Sequence, residues 1–212
     1  MKLIGMLDSP YVRRVAVTLQ LMGLQFKHQS LSVFSTYDQF RAINPIVKAP
    51  TLVADDGTVL MDSTLIIQYA EALAMPAYRM TPSMPTELLR SLRVLGVALA
   101  ACDKAVQLVY EHKVRPLEKM HQPWVARVTT QLLEAFDALE AELAKQPLEL
   151  QKPDHASVMT AVTWQFAQQM LGDVVVASRY PRLEAFSQQA EKLPAFSTAP
   201  YGDGTYPVTA GA

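Results

Sequence analysis

A change of hydrophobic period near residue 75 constrains the fold of this chain more than any other feature. Before that point, short apolar runs alternate with segments in which apolar residues recur every three or four positions, so strands and helices are predicted in alternation. After it, only the helical spacing remains. Residues 75–85 hold three prolines and no period, which favours a linker. The sequence predicts a mixed α/β domain over 1–76, a linker over 77–85 and an all-helical domain over 86–212.

The first domain opens with a predicted β-α-β unit. Apolar runs over 2–7 and 26–31 predict two strands. Between them, Ser9 and Pro10 predict a helix start, because serine caps free N–H groups and proline suits the first helical position. Gly23 is expected to end that helix. Two strands connected in this way should be parallel, with a right-handed crossover.

The rest of the first domain is predicted as a short helix, a hairpin and a last helix. The short helix lies around 37–43, and the hairpin strands at 51–54 and 58–61 flank the Asp-Asp-Gly turn at 55–57. The last helix begins at residue 62, so the element order is β-α-β, a short helix, β-β-α.

Two long amphipathic helices dominate the predicted second domain. The apolar stripe of the first ends before Pro116 and has alternating spacings of four and three. Its members are Leu88, Leu92, Leu95, Leu99, Cys102, Val106 and Val109. The second helix repeats the pattern over 125–143 and should pack antiparallel to the first. A more central helix over 154–171, a shorter one over 182–193 and a coil from Pro200 are expected to follow.

Charge and cysteine usage exclude several classes of function. The net charge is -1 with no basic block, which argues against a nucleic-acid surface. No apolar run approaches the roughly 20 residues that span a bilayer. The single cysteine, Cys102, rules out internal disulfides and multi-cysteine zinc sites, and the histidines show no metal spacing. We therefore expect a cytoplasmic protein with no metal, no membrane and no nucleic-acid partner.

Three motifs occur in a fixed order: Ser9-Pro10-Tyr11-Val12-Arg13-Arg14, then Asn44-Pro45-x-x-Lys48-Ala49-Pro50-Thr51-Leu52, then Asp62-Ser63. In order and spacing they resemble the glutathione-binding half of bacterial glutathione transferases. Tyr180-Pro181-Arg182-Leu183 and Leu193-Pro194-Ala195-Phe196 are similar to the family's final helix. The resemblance covers nearly the whole chain. It implies a thioredoxin-like N-terminal domain followed by an all-α C-terminal domain, a homodimer, and glutathione as co-substrate beside a small electrophile.

The resemblance assigns the chemistry to Ser9, whose hydroxyl would hold the glutathione sulfur as the nucleophilic thiolate. Lowering a thiol pKa from about 8.5 by about two units requires roughly 2.7 kcal/mol of preference for the charged form. One hydrogen bond to a charged acceptor supplies about 1.5–3 kcal/mol, and a helix N-terminus about 0.3–1 kcal/mol more. From the residues alone, a serine before proline at a helix start is usually only an N-cap, and the resemblance is what favours the catalytic role of Ser9.

Five further residues are assigned to glutathione by the resemblance. Pro50 sits in a cis peptide bond in the family, so that the backbone of Ala49 pairs with the cysteinyl part. Lys48 would reach the glycyl carboxylate, or is a solvated surface lysine. Ser63 and the first N–H groups of its helix would bind the α-carboxylate, and Asp62 the α-ammonium. The alternative for this last pair is an ordinary helix cap.

Conjugation of the glutathione thiolate to a small hydrophobic electrophile is the function that the resemblance implies. The alternative is a non-catalytic, dimeric binding or regulatory protein. The related isomerase branch carries a Ser-Ser-Cys helix start that is absent here, and a peroxidase activity stays open.

Other residues are given structural or open roles. Cys102 lies in an apolar stripe and is expected in the core. Asp154 and Ser157 replace the family's usual capping box, and Asp154 should still cap its helix. Tyr110 and Trp164 either line a second-substrate pocket or pack in the core.

Overall fold

A small sheet organises the first of two units in the computed structural model, which describes residues 1–202. Among these residues, the first unit is Met1–Met80 together with 192–202, and the second is Thr81–Glu191. The predicted division instead places everything after residue 85 in the helical domain. A coil is predicted from Pro200 onward, and its part beyond Gly202 lies outside the described residues.

The sheet has four strands in the order β2-β1-β3-β4. The strands are β1 (Lys2–Ile4), β2 (Lys27–Gln29), β3 (Thr51–Val53) and β4 (Val59–Leu60). β1 runs parallel to β2 and antiparallel to β3, and β3 runs antiparallel to β4. The predicted β-α-β unit and the hairpin are therefore confirmed, with shorter strands than the apolar runs suggested.

Three helices complete the α/β part of the first unit. They are α1 (Pro10–Leu21), α2 (Tyr37–Ile43) and α3 (Ser63–Leu73). α1 packs against α3 and buries the predicted apolar face that includes Val12 and Leu19. Gly23 has a positive φ of 68°, and the next N–H, of Leu24, bonds back to the carbonyl of Leu19 at 2.9 Å. The glycine thus ends α1 as expected.

The second unit contains four α-helices, with short 3-10 helices at Leu117–Lys119 and Ala177–Arg179. The four α-helices are α4 (Pro85–Lys113), α5 (Gln122–Lys145), α6 (His155–Leu171) and α7 (Pro181–Ala190). α4 packs against both α5 and α6, and the predicted stripe of α5 is buried from Val128 to Leu143. Asp154 caps α6 as predicted, with Oδ1 accepting from the N–H and the hydroxyl of Ser157. No helix in residues 1–202 is long and apolar enough to cross a membrane.

The predicted apolar stripe of α4 is confirmed in part, because Cys102 and Val109 are buried while the leucines of the stripe are half-buried or exposed. Leu92 is 54% exposed, whereas the buried face carries small residues at Ala98, Ala101 and Ala105 around the fully buried Cys102. The reason is the close approach of α6, where the Thr163 hydroxyl donates to the Ala98 backbone carbonyl at 3.3 Å. Alanine side chains leave room for that approach, and the leucines are displaced to the flanks.

The predicted fourth helix, over 182–193, is confirmed as α7 and is three residues shorter at its C-terminal end. α7 ends at Ala190, and a separate short helix, α8 (Pro194–Ser197), follows. α8 belongs to the first unit and packs against α1.

Candidate functional site

Ser9 lies at the head of α1, as its N-cap. Its Oγ accepts from the N–H of Val12 at 3.4 Å, its backbone carbonyl accepts from Arg13 at 2.9 Å, and Pro10 occupies the first helical position. The side chain is half-buried. A serine hydroxyl that accepts one bond still has its hydrogen to donate. The capping role is thus present and leaves the hydroxyl able to donate to a ligand.

Gly5 shapes the loop that carries Ser9. Its φ is 134°, and a Cβ built there would lie 2.5 Å from Cγ2 of Val12, so only glycine fits without displacement. Nε2 of His28 lies 2.7 Å from the Gly5 carbonyl. Burial lowers the pKa of His28 from its ordinary value, against the opposing effect of that hydrogen bond. Sequence reasoning gave neither residue a role, although a glycine directly after a buried strand signals a tight loop.

The second motif forms a loop held from inside by Asn44. This buried amide donates to the Thr51 hydroxyl at 2.8 Å, and that hydroxyl donates to the carbonyl of Lys48 at 2.6 Å. The Ala49–Pro50 peptide bond is cis, as the resemblance implied. Lys48 is exposed.

The second motif lies against the end of β1 and the loop that leads to Ser9. Ile4 pairs with Thr51 in the antiparallel register. A Cβ added to Gly5 would lie 3.4 Å from the Cβ of Ala49. The backbone of Ala49 therefore lies beside the loop that leads to Ser9, which is the arrangement that a ligand touching both would need.

The third motif begins α3 as a helix cap. Oδ1 of Asp62 accepts from the N–H groups of Thr64 at 2.9 Å and Leu65 at 3.4 Å. These N–H groups, which sequence reasoning assigned to an anion, are already engaged by Asp62. The second carboxylate oxygen of Asp62, on an exposed residue, can accept from another donor. Ser63 is only 2% exposed.

Arg14 is the residue at this motif that sequence reasoning left without a role. It projects from α1 and is 2% exposed, and its Nη1 donates to the hydroxyls of Ser63 and Thr64, each at 3.2 Å. A guanidinium has no acceptor, so Ser63 receives this bond and keeps its own hydrogen for another partner. The signal in the sequence was a pair of adjacent arginines within an otherwise apolar helix.

Trp164 packs in the core of the second unit. It is 1% exposed, its ring lies edge-on to Phe136 at 5.4 Å and Tyr180 at 5.7 Å, and its indole N–H donates to Glu184 at 2.8 Å. Tyr110, by contrast, is 46% exposed. Within residues 1–202, no cluster of three His, Cys, Asp or Glu residues could hold a metal ion.

Two domain models of one family match this chain. Residues 3–77 match the model of the glutathione S-transferase N-terminal domain, and residues 122–189 match that of the C-terminal domain. The uncharacterised GST-like protein YibF of Escherichia coli K12 is 27% identical over 76% of this chain and 79% of its own. A probable glutathione S-transferase of Glycine max is 23% identical over 89% of this chain and 82% of its own.

Solved structures share the fold. A Methylobacterium radiotolerans glutathione S-transferase in complex with glutathione sulfonate superposes with a TM-score of 0.86 at 22% identity over 96% of both chains. A Pseudomonas fluorescens family member with bound S-(propanoic acid)-glutathione gives 0.78 at 25% identity, over 94% of this chain and 98% of its own. Since both units match domain models of one family and the fold matches its solved structures, this chain belongs to the glutathione S-transferase family.

Proposed function

We propose that this chain is a glutathione transferase that joins the sulfur of glutathione to a small hydrophobic electrophile. The observation that carries the proposal is the place of Ser9, a half-buried hydroxyl at the head of α1. Ala49 lies beside the loop that leads to it. Two structures of similar fold hold a glutathione derivative, which supports glutathione as the co-substrate here.

The proposed chemistry has two parts. Binding shifts the glutathione thiol toward its thiolate by releasing a proton to solvent, and the hydroxyl of Ser9 donates to the sulfur. The thiolate then attacks the electrophile, forming a sulfur–carbon bond while the leaving group departs with its electron pair. A hydrogen bond to a charged acceptor is worth about 1.5–3 kcal/mol. That range covers the roughly 2.7 kcal/mol that a two-unit fall in thiol pKa requires.

The remaining motif residues are proposed to hold the two ends of the tripeptide. The backbone of Ala49 pairs with the cysteinyl part, and Lys48 reaches the glycyl carboxylate. At the γ-glutamyl end, Ser63 donates its hydroxyl hydrogen to the α-carboxylate, with Arg14 adding a buried positive charge behind it. Asp62 accepts from the α-ammonium with the carboxylate oxygen that α3 does not use.

An apolar face on the first unit supports the expected homodimer. Leu65, Tyr69 and Leu73 recur every four residues along α3, and they are 54%, 38% and 45% exposed. Met75 and Tyr78, at 62% and 49%, extend the exposed set. Clustered exposed apolar residues mark interaction surfaces. We propose that a second copy of this chain covers this face.

The proposed setting is the cytoplasm, where the protein would remove reactive electrophiles. Free cysteines are usual in reducing compartments, and the one cysteine of this chain, Cys102, is a fully buried free cysteine.

The deciding experiment is an absorbance titration of the thiolate of bound glutathione in the wild type and in Ser9→Ala. We expect the wild type to lower the thiol pKa by about two units and Ser9→Ala to return it toward the free value with a parallel loss of conjugation to an activated aryl halide. Ser178→Ala, which changes an exposed serine of the second unit, is the matched control.

The same titration distinguishes conjugation from the alternative, a non-catalytic binding function. A wild type that binds glutathione but leaves its thiol at the free pKa would favour the non-catalytic binding protein. A Ser9→Ala variant that conjugates as fast as wild type would overturn the role of Ser9.

A further inference from the structure

Residues 193–199 close over α1 within the first unit. α8 and the residues after it bury Ala195, Phe196 and Ala199, which are 8%, 0% and 0% exposed. This segment, Leu193–Ala199, comes after the family's C-terminal domain match has ended at residue 189. It nevertheless packs against a helix that begins at residue 10.

Two side chains of α1 hold this segment. Nε of Arg13 donates to the Ala199 carbonyl at 2.7 Å, and its guanidinium carbon lies 5.8 Å from the centroid of the Phe196 ring. Two turns further on, Nε2 of Gln20 donates to the carbonyl of Ala195 at 3.1 Å, and its Oε1 accepts from the Thr198 hydroxyl at 2.6 Å. Residues seven apart lie on the same face of a helix, so the segment lies along α1 rather than touching it at one point.

The buried position of Arg13 makes this contact more than incidental packing. The residue is 1% exposed, and a buried charge is costly unless hydrogen bonds compensate for its lost hydration. The Ala199 carbonyl and the face of the Phe196 ring supply part of that compensation. Without the segment, both of these contacts to Arg13 would be lost.

Arg13 also connects the segment to the head of the helix. Its backbone N–H donates to the carbonyl of Ser9 at 2.9 Å, which is the bond that closes the first turn of α1. One residue thus contacts the C-terminal segment through its side chain and Ser9 through its backbone.

We propose that Leu193–Ala199 fixes α1, and with it the hydroxyl of Ser9, in the position that glutathione requires, with Arg13 as the positioning residue. This inference rests on the proposed function and adds a part of the chain far from the three motifs. The C-terminal segment thereby belongs to the glutathione site in function as well as in packing.

The test compares Arg13→Met, which keeps the length of the side chain without its charge, with Arg93→Met in the second unit. Arg93 also makes an arginine contact between segments, donating to Glu142 at 3.0 Å. Amide hydrogen exchange across α1 and the thiolate titration of bound glutathione are measured on both full-length variants. For Arg13→Met we expect amide exchange in the first turns of α1 to be about tenfold faster and the pKa of the bound thiol to be about one unit higher. Each of these changes is equivalent to about 1.4 kcal/mol.

A milder pair covers the case in which Arg13→Met fails to fold. Thr198→Val removes the hydroxyl that contacts Gln20 and the Pro194 carbonyl, each at 2.6 Å. Ser197→Ala, the control, removes a hydroxyl that contacts only the Pro194 carbonyl, at 3.3 Å. Only Thr198→Val should speed α1 exchange and raise the thiol pKa.

Each outcome decides a separate point. Unchanged α1 exchange in Arg13→Met and Thr198→Val would overturn the proposal whether or not glutathione binds. Faster amide exchange in α1 with an unchanged thiol pKa would show that Arg13 only stabilises the helix, and would overturn its role in positioning Ser9. If the wild type itself leaves the thiol at the free pKa, the proposed function fails, and exchange alone then decides whether the segment fixes α1.

Discussion

Arg14 on α1 donates a 3.2 Å hydrogen bond from Nη1 to the hydroxyl oxygen of Ser63, the first residue of α3. The contact is buried on both sides. It joins the helix that carries Ser9 to the helix whose start is assigned to the γ-glutamyl end of glutathione. Because the Ser63 hydroxyl accepts this bond, it keeps its own hydrogen to donate to another partner.

The pair should be energetically coupled. Arg14→Met and Ser63→Ala are each expected to destabilise the fold, because each removes a buried hydrogen-bonded partner, at a cost of about 1–3 kcal/mol. The double variant should cost less than the sum of the two by about 0.5–3 kcal/mol. Urea unfolding of the four proteins in the cycle measures this, and strictly additive costs would show that the contact contributes nothing.

The affinity for glutathione is a second measure of the role of Arg14. Calorimetric titration should find weaker binding to Arg14→Met by about tenfold, equivalent to about 1.4 kcal/mol. Arg41→Met, which removes an exposed cation from α2, is the matched control. Equal affinities for the two variants would contradict a role for the buried guanidinium at the γ-glutamyl end.

Gly5 should be the least replaceable glycine near the site. In Gly5→Ala, an alanine would have a φ of 134° and a Cβ 2.5 Å from Cγ2 of Val12. We therefore expect the free energy of unfolding to fall by about 2–4 kcal/mol. Gly96→Ala in α4 meets no atom within 4 Å and should gain about 0.5–1 kcal/mol from better helix propensity. Thermal unfolding distinguishes them, at about 2–4 °C per kcal/mol for a chain of this size. A Gly5→Ala protein that melts with or above Gly96→Ala would show that the loop relaxes freely.

Local signals in the sequence were enough to predict most of the sheet unit. Ser9 and Pro10 started α1, Gly23 ended it, and the turn at 55–57 placed the hairpin, because each of these residues has conformational preferences that do not depend on distant partners. The binding residues of the three motifs were assigned from the family resemblance. Their roles in binding stay proposals.

What could not be predicted depends on partners far along the chain. The choice between the leucine and the alanine face of α4 was decided by the approach of α6, which no period within α4 encodes. Likewise Arg14 meets Ser63 across 49 positions, and Arg13 meets Ala199 across 186. The sequence pattern shows that these arginines interrupt an apolar helix. Only the tertiary structure shows which groups accept their hydrogen bonds and so compensate for the cost of burying the charge.

Acid should weaken the contact between α4 and α5 at Glu142. Hydrogen bonds from Lys145 and then from Arg93, each about 3.0 Å long, lower the pKa of the Glu142 carboxyl from its ordinary 4.5, against the opposing effect of desolvation. The unfolded chain then takes up a proton at higher pH than the folded one. The stabilisation is therefore present above pH 4.5 and is lost as the pH falls through the folded pKa.

Glu142→Gln measures this contribution. Both partners are largely exposed, so the variant should be only about 0.5–1 kcal/mol less stable at neutral pH. The gap to wild type should narrow in urea unfolding below pH 4.5. Glu149→Gln, which changes an exposed carboxylate of the same unit, is the control. Two variants with identical stability at every pH would contradict the assignment.

A second pH dependence should arise at His28, beside the loop that carries Ser9. Burial lowers its pKa below the ordinary 6.5 and outweighs the hydrogen bond to the Gly5 carbonyl, which favours the charged ring. As the pH falls through 6.5 the unfolded chain is protonated first, so the wild type should lose stability on acidification until the folded pKa is reached. His28→Gln keeps a donor for Gly5 but cannot titrate, and its stability should fall less between pH 7 and about 5. His121→Gln, at an exposed histidine, should follow the wild type. If His28→Gln also follows it, the ring is not held neutral, and the loop before Ser9 does not depend on an uncharged imidazole.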